Sequence, residues 1–185
     1  MNKKKKGGLV PFILGIVAAL IFGWNIFPQL LFSKKDQPIT FSHIGHMTHT
    51  QKDLKDLDDC VDCHDYRGDG SYAGIPSLES CAECHSEPLT AVPSEQLFVN
   101  EYVKKGKQVP WKIYREQPDN VYFSHIAHEE YECTECHQDM ENADSLPPYY
   151  ENKLTGYSRG TMKMWECERC HAEEDASNAC YICHK

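Results

Sequence analysis

Apolar side chains are gathered in one long run, Leu9 to Phe32, and thinned out elsewhere. From Leu9 to Phe27 only Asn25 is strongly polar. The 24 residues of the full run reach about 36 Å as a helix, enough to cross a bilayer. Pro11 falls in the first turn, where a missing N–H costs little, and Pro28 near the far end, where a kink or stop is tolerable. After the run the periodicity is weak. Phe41–Thr50 suits short helical turns, and Gln51–Asp59, with no Gly or Pro, suits a helix. Tyr66–Pro76 carries Gly68, Gly70, Gly74 and Pro76 and reads as loop. Val109-Pro110-Trp111-Lys112-Ile113-Tyr114 alternates enough for a short strand or extended strap. Such a body lacks the apolar side chains that would offset its ordering entropy, so something else must supply its core.

Charge divides the chain in the same place. Residues 1–35 hold six Lys and no acid, whereas residues 36–185 hold 13 Lys plus Arg against 28 Asp plus Glu. Lys3, Lys4, Lys5 and Lys6 precede the apolar run, and Lys34 and Lys35 follow it. That bias favours an N-terminus in the cytoplasm and a body on the other side of the membrane. A basic start and an apolar stretch also suit a cleaved secretory signal, but Pro28-Gln-Leu-Leu-Phe-Ser-Lys-Lys35 offers no small-x-small cleavage site. The expectation is an uncleaved single-pass anchor. The acidic body disfavours nucleic acid and suits a basic protein partner, although acidity also simply keeps a body soluble.

Ten Cys and ten His among 185 residues change the picture. Every Cys belongs to one of five copies of Cys-x-x-Cys-His: Cys60/Cys63/His64, Cys81/Cys84/His85, Cys133/Cys136/His137, Cys167/Cys170/His171 and Cys180/Cys183/His184. This is the attachment signature of c-type haem. Two thiols three positions apart add to the two vinyl groups on one edge of a porphyrin, and the adjacent His binds the iron. Zinc sites and thiol redox motifs also use Cys-x-x-Cys, but neither requires His directly after the second Cys. No Cys is left over for a disulfide scaffold. Five covalent haem c groups are expected, with His64, His85, His137, His171 and His184 as proximal ligands.

Five His remain, His43, His46, His49, His125 and His128, matching the five sixth positions to be filled. The balance suggests bis-His iron throughout, which favours low potentials and suits electron transfer rather than catalysis. Met47, Met140, Met162 and Met164 are the competing ligands. Phe41-Ser42-His43-Ile44-Gly45-His46 recurs as Phe123-Ser124-His125-Ile126-Ala127-His128, each ahead of a haem motif. The chain therefore divides into a cytoplasmic tip and anchor (1–35), a dihaem module (36–90), a linker strap (91–118) and a trihaem module (119–185). The expected fold is mostly coil, with short helices packed round the closely spaced rings. Their propionates make the body more acidic still.

Phe-x-His-x-x-His ahead of Cys-x-x-Cys-His resembles the class III multihaem cytochromes c. That resemblance implies His43 as cap of the haem at Cys60/Cys63/His64 and His125 of the haem at Cys133/Cys136/His137. It also implies His128 on the haem at Cys180/Cys183/His184, leaving His46 and His49 for those at Cys81 and Cys167 in unsettled order. Anchor, two modules and the Val109–Tyr114 connection together resemble the multihaem cytochrome subunit of alternative complex III and the quinone reductase complex. This implies a periplasmic electron wire on the cytoplasmic (inner) membrane, with no catalytic residues of its own. Its partners would be an iron–sulfur or molybdopterin-like periplasmic subunit and polytopic membrane subunits that hold the quinone. The acidic body would receive a soluble basic cytochrome c. A stand-alone quinol dehydrogenase feeding a periplasmic terminal reductase is the alternative. A haem motif close behind the anchor would mark it, but Cys60 lies 28 residues beyond Phe32. A multihaem reductase would need an open iron position, and here the His suffice to close every iron.

Overall fold

The computed structural model describes residues 8–48, 59–68, 71 and 74–184. A continuous apolar helix, Leu9–Leu31, begins the described chain, and none of its residues is buried. Pro28 does not stop it. The Pro ring removes one amide donor and crowds the carbonyl four residues back. The turn Phe22–Ile26 widens to a π-turn, in which the Phe27 N–H reaches Phe22 O, and the helix resumes over Phe27–Leu31. It ends where Phe32 turns extended (φ −104°, ψ 144°).

The chain then enters strand β1, Phe32–Lys35, which pairs antiparallel with strand β2, Tyr149–Asn152. The register sets Phe32 opposite Asn152 and Lys35 opposite Tyr149. Lys153 closes the helix end: its N–H donates to Leu31 O at 2.9 Å and its Nζ to Leu30 O at 2.7 Å. The Arg159 guanidinium lies 5.9 Å from the ring centres of both Phe32 and Tyr150. The basic flank of the apolar run is thus bound to a segment more than a hundred residues away.

The body has little apolar interior of its own. Among the described residues only Ile39, Leu78, Phe98, Val99 and Tyr149 are buried hydrophobics. Ile39, Leu78, Phe98 and Val99 form one cluster, flanked by Cys81, Tyr102, Val103, Val109 and Trp111. Residues 91–118 supply much of it and are not merely a strap. Pro93 starts a helix, Pro93–Phe98, that continues as a π-turn, Val99–Val103. Val109–Tyr114 forms no strand. Its Lys112 backbone is instead bracketed by the Gln37 side-chain amide, which donates to Lys112 O and accepts from Lys112 N–H, each at 2.9 Å.

The haem-motif segments are short helical turns, as the spacing implies. They are Cys60–Asp62 (3-10), Leu78–His85, Cys133–Cys136, Met164–Glu173 and Cys180–Cys183. The helix expected over Gln51–Asp59 lies almost wholly outside the described residues. Val99 is fully enclosed, so Val99→Ala is expected to destabilise the holoprotein by about 2 kcal/mol through lost methyl burial and the remaining cavity. Denaturant unfolding followed by haem absorbance measures this.

Candidate functional site

The two Phe-Ser-His-x-x-His segments fold alike. His43–Met47 is a short α-helix capped by Ser42, whose Oγ accepts the Gly45 N–H at 3.0 Å, and His125–His128 is a 3-10 turn. In both, the Phe ring stacks on the second His, with centroids 4.4 Å apart for Phe41–His46 and 4.7 Å for Phe123–His128. It meets the first His edge-on, at 4.9 Å for His43 and 4.8 Å for His125. Backbone carbonyls fix the second His of each pair. His46 Nδ1 lies 2.7 Å from Ser42 O, and His128 Nδ1 lies 2.8 Å from Ser124 O. A ring whose Nδ1–H donates to a carbonyl presents a bare Nε2, the form a metal binds.

Three of the five motif histidines are held in the same way. Nδ1 of His64 lies 2.8 Å from Gly74 O, that of His171 3.1 Å from Ser177 O, and that of His184 3.4 Å from Asn120 O. Gly74 has a φ of +75°, a left-handed turn that glycine adopts without steric cost and that delivers its carbonyl to His64. His85 differs: its Nδ1 meets a side-chain carboxylate, Glu95 Oε1, at 2.9 Å. Burial raises the Glu95 pKa, but hydrogen bonds from the Thr90 hydroxyl, the Leu89 and Thr90 N–H groups and His85 outweigh it and hold the carboxyl below its usual range.

The imidazoles meet in pairs. His125 and His137 have centroids 6.3 Å apart and planes 13° from parallel. For His128 and His171 the values are 6.2 Å and 15°, and for His46 and His85 they are 6.1 Å and 57°. A metal–imidazole bond of about 2.0–2.1 Å, plus about 1.1 Å from nitrogen to ring centre, puts two trans imidazoles about 6.2 Å apart. The spacing is that of two rings on opposite sides of one iron, and the residues present fit haem iron. His43 neighbours His64: burial, then the charges of His64 and His46, lower its pKa. Its Nδ1 is buried without a hydrogen-bond partner among the described residues.

His128 faces His171, whereas the class III resemblance implies a place on the haem at Cys180/Cys183/His184. His46 faces His85, which is one of the two assignments that resemblance leaves open. His49 lies outside the described residues. The competing Met ligands are not needed at His85, His137 or His171, because an imidazole already faces each.

The ten thiols are unbridged and half-buried or exposed. Burial, then a neighbouring thiol from another motif, raises several of their pKa values. Cys60 is raised in this way by Cys133, Cys81 by Cys63, Cys136 by Cys170, and Cys167 by Cys183. The sequence treats the two thiols of each motif alike, but the structure does not. Cys84 lies exposed near the end of the helix Leu78–His85, whereas Cys81, three residues earlier, is half-buried against the small apolar cluster. Three residues are slightly less than one helical turn, so the two Sγ atoms share a side of the helix while only the first reaches the cluster. Cys84 adjoins the thiol of its own motif, Cys81, as a vinyl-bridging pair requires. The cleft lined by Ala127, His128, Cys170 and His171 lies between the two imidazoles of one such pair.

Thiols three apart, an imidazole behind them and a second imidazole opposite define a multihaem c-type cytochrome. Residues 121–185 match the family model of cytochrome c7 and related cytochrome c. Over 197 aligned positions the chain is 51% identical to the menaquinone reductase, multiheme cytochrome c subunit, of Nitratidesulfovibrio vulgaris (strain Hildenborough), a match spanning 97% of this chain and 91% of that one. The chain belongs to the family of that multihaem cytochrome c subunit.

Two outcomes follow from the geometry. Made without haem attachment, the chain is expected to show little ordered structure beyond residue 36 by circular dichroism and to gain it on haem loading. His128→Met is expected to raise the potential of one haem only, since Met/His ligation raises potential over bis-His. Proton NMR of the reduced variant should then show the ligand methyl close to the Cys170 thioether and not to Cys183.

Proposed function

We propose that this chain is a periplasmic pentahaem electron-relay subunit of a membrane quinone-reducing complex. In this reading it takes electrons from a soluble basic cytochrome c and delivers them to partner subunits that hold the quinone. The paired imidazoles at 6.1–6.3 Å carry the reading. Each pair would hold an iron from both sides, which would leave no position for a substrate at those three sites. Bound haem supplies the Fe(III)/Fe(II) couple. The chain's residues would orient, bury and electrostatically tune that couple.

The thiol neighbours support one order of the motifs in space. Cys81 adjoins Cys63, Cys60 adjoins Cys133, Cys136 adjoins Cys170, and Cys167 adjoins Cys183. In this reading the path would run from the second motif to the first, then the third, fourth and fifth. It crosses between modules at Cys60 and Cys133. The motifs of Cys81 and Cys180 stand at its two ends.

The exposed apolar helix Leu9–Leu31, with the Lys-rich segments that flank it, supports a single-pass anchor in the cytoplasmic membrane with its N-terminus inside. The likeness to a menaquinone reductase subunit supports a menaquinone-linked complex. Its other members would be a periplasmic iron–sulfur or molybdopterin-like subunit and polytopic membrane subunits. The acid excess of residues 36–185 suits docking of a Lys-rich carrier, whose association rate would fall as ionic strength rises.

Extraction from native membranes in mild detergent tests this. The chain should co-purify with polytopic and periplasmic redox subunits. In that complex, a pre-reduced basic cytochrome c should be reoxidised when a menaquinone analogue is added, more slowly at high salt. Recovery of a partnerless chain that instead oxidises menaquinol would favour the quinol dehydrogenase alternative.

A further inference from the structure

We propose that Glu95 is a positioning residue that acts through His85 to set the potential of the haem at Cys81/Cys84 apart from the others. The proposal rests on the haem reading above and adds a residue from the segment between the two modules. His85 Nδ1 lies 2.9 Å from Glu95 Oε1, whereas Nδ1 of His64, His171 and His184 meets backbone carbonyls. A carboxylate accepts the Nδ1 proton more strongly than a carbonyl does. The imidazole gains imidazolate character, its Nε2 donates more electron density, and the ferric state is favoured.

The carboxylate is built into place. Leu89 N–H donates to Oε1 at 2.8 Å, Thr90 N–H donates to Oε2 at 2.8 Å, and the Thr90 hydroxyl also donates to Oε2. Gln96 Nε2 holds the same loop through Thr90 O at 2.8 Å. The side chains of Glu95 and His85 keep only 10% and 21% of their exposure, so solvent screens the pair weakly. Phe98, from the small apolar cluster, meets the His85 ring edge-on at 5.9 Å. The opposing His46 ring is turned 57° from His85, against 13° and 15° in the other two pairs. Imidazole planes far from parallel bring the iron dπ orbitals closer in energy and raise the largest g value. The affected haem should therefore be separable by electron paramagnetic resonance.

The test is a redox titration of the membrane-extracted protein, followed by that resonance, with Glu95→Gln and Thr90→Val. Glu95→Gln removes the charge and keeps the size. It should shift the ferrous-to-ferric ratio of this one haem about tenfold toward ferrous at fixed poise, which for a one-electron couple is about 59 mV upward. The haem should stay low-spin, and the others should be unchanged. Thr90→Val leaves the charge and removes one donor to it, so the carboxylate pulls harder on the His85 proton and the same haem alone should shift downward, an unmoved potential counting against the proposal. An unchanged potential in Glu95→Gln, an equal shift of every haem, or an upward shift in both variants would overturn the proposal. If Glu95→Gln loses the haem, Thr90→Val alone decides. Mass spectrometry of the wild-type chain separates the two levels: missing haem adducts there would refute the electron-carrier reading itself.

Discussion

Two imidazoles facing each other across a gap of about 6 Å are what the rest of the molecule is arranged around. One ring comes from a Cys-x-x-Cys-His turn, where the helical bend sets the His beside both thiols. The other comes from a distant segment. In the His46–His85 and His128–His171 pairs a hydrogen bond at Nδ1 orients each ring. The Ser42 and Ser124 carbonyls, with Phe41 and Phe123, do this for the distal side. Each pair joins two separate segments of the chain. Iron held between such rings would do here what apolar packing does in an ordinary domain.

The small interior follows from this. One cluster round Val99 packs beside Cys81, and Tyr149 is the remaining buried hydrophobic residue described. A polypeptide so poor in buried apolar area does not offset the entropy of ordering its backbone by itself. Tetrapyrrole rings, tethered through thioethers, contribute both apolar surface and a fixed network of ligand bonds. Stability and electron conduction then depend on the same contacts. A substitution that loosens one ligand disturbs both.

The haem motifs were legible because covalent attachment dictates a local spacing that shows in sequence. So was the duplicated Phe-Ser-His-x-x-His, with its short helical turns. The partner of His128 was not legible. His171 and His184 sit in identical local motifs, and only the placement of Met164–Glu173 decides which ring it meets. The unequal burial of Cys81 and Cys84 was hidden too, because it depends on where Phe98 and Val99 pack. Glu95 carried no signal either, since a carboxylate accepting from an imidazole ten residues away has no periodic signature. Residues 91–118 read as a strap because they lack Cys and His and contain three Pro. Pro93 instead occupies the first turn of a helix, where Pro is favourable. Strand β1 was hidden in the charged flank of the apolar run, since its partner among the described residues, β2, lies far along the chain.

The β1–β2 ladder, the Lys153 bonds to Leu30 and Leu31 and the Arg159 stack tie the helix end directly to the body. Were Leu9–Leu31 seated in a bilayer, these contacts would stand the body directly on the helix end, as a pylon rather than a tethered buoy.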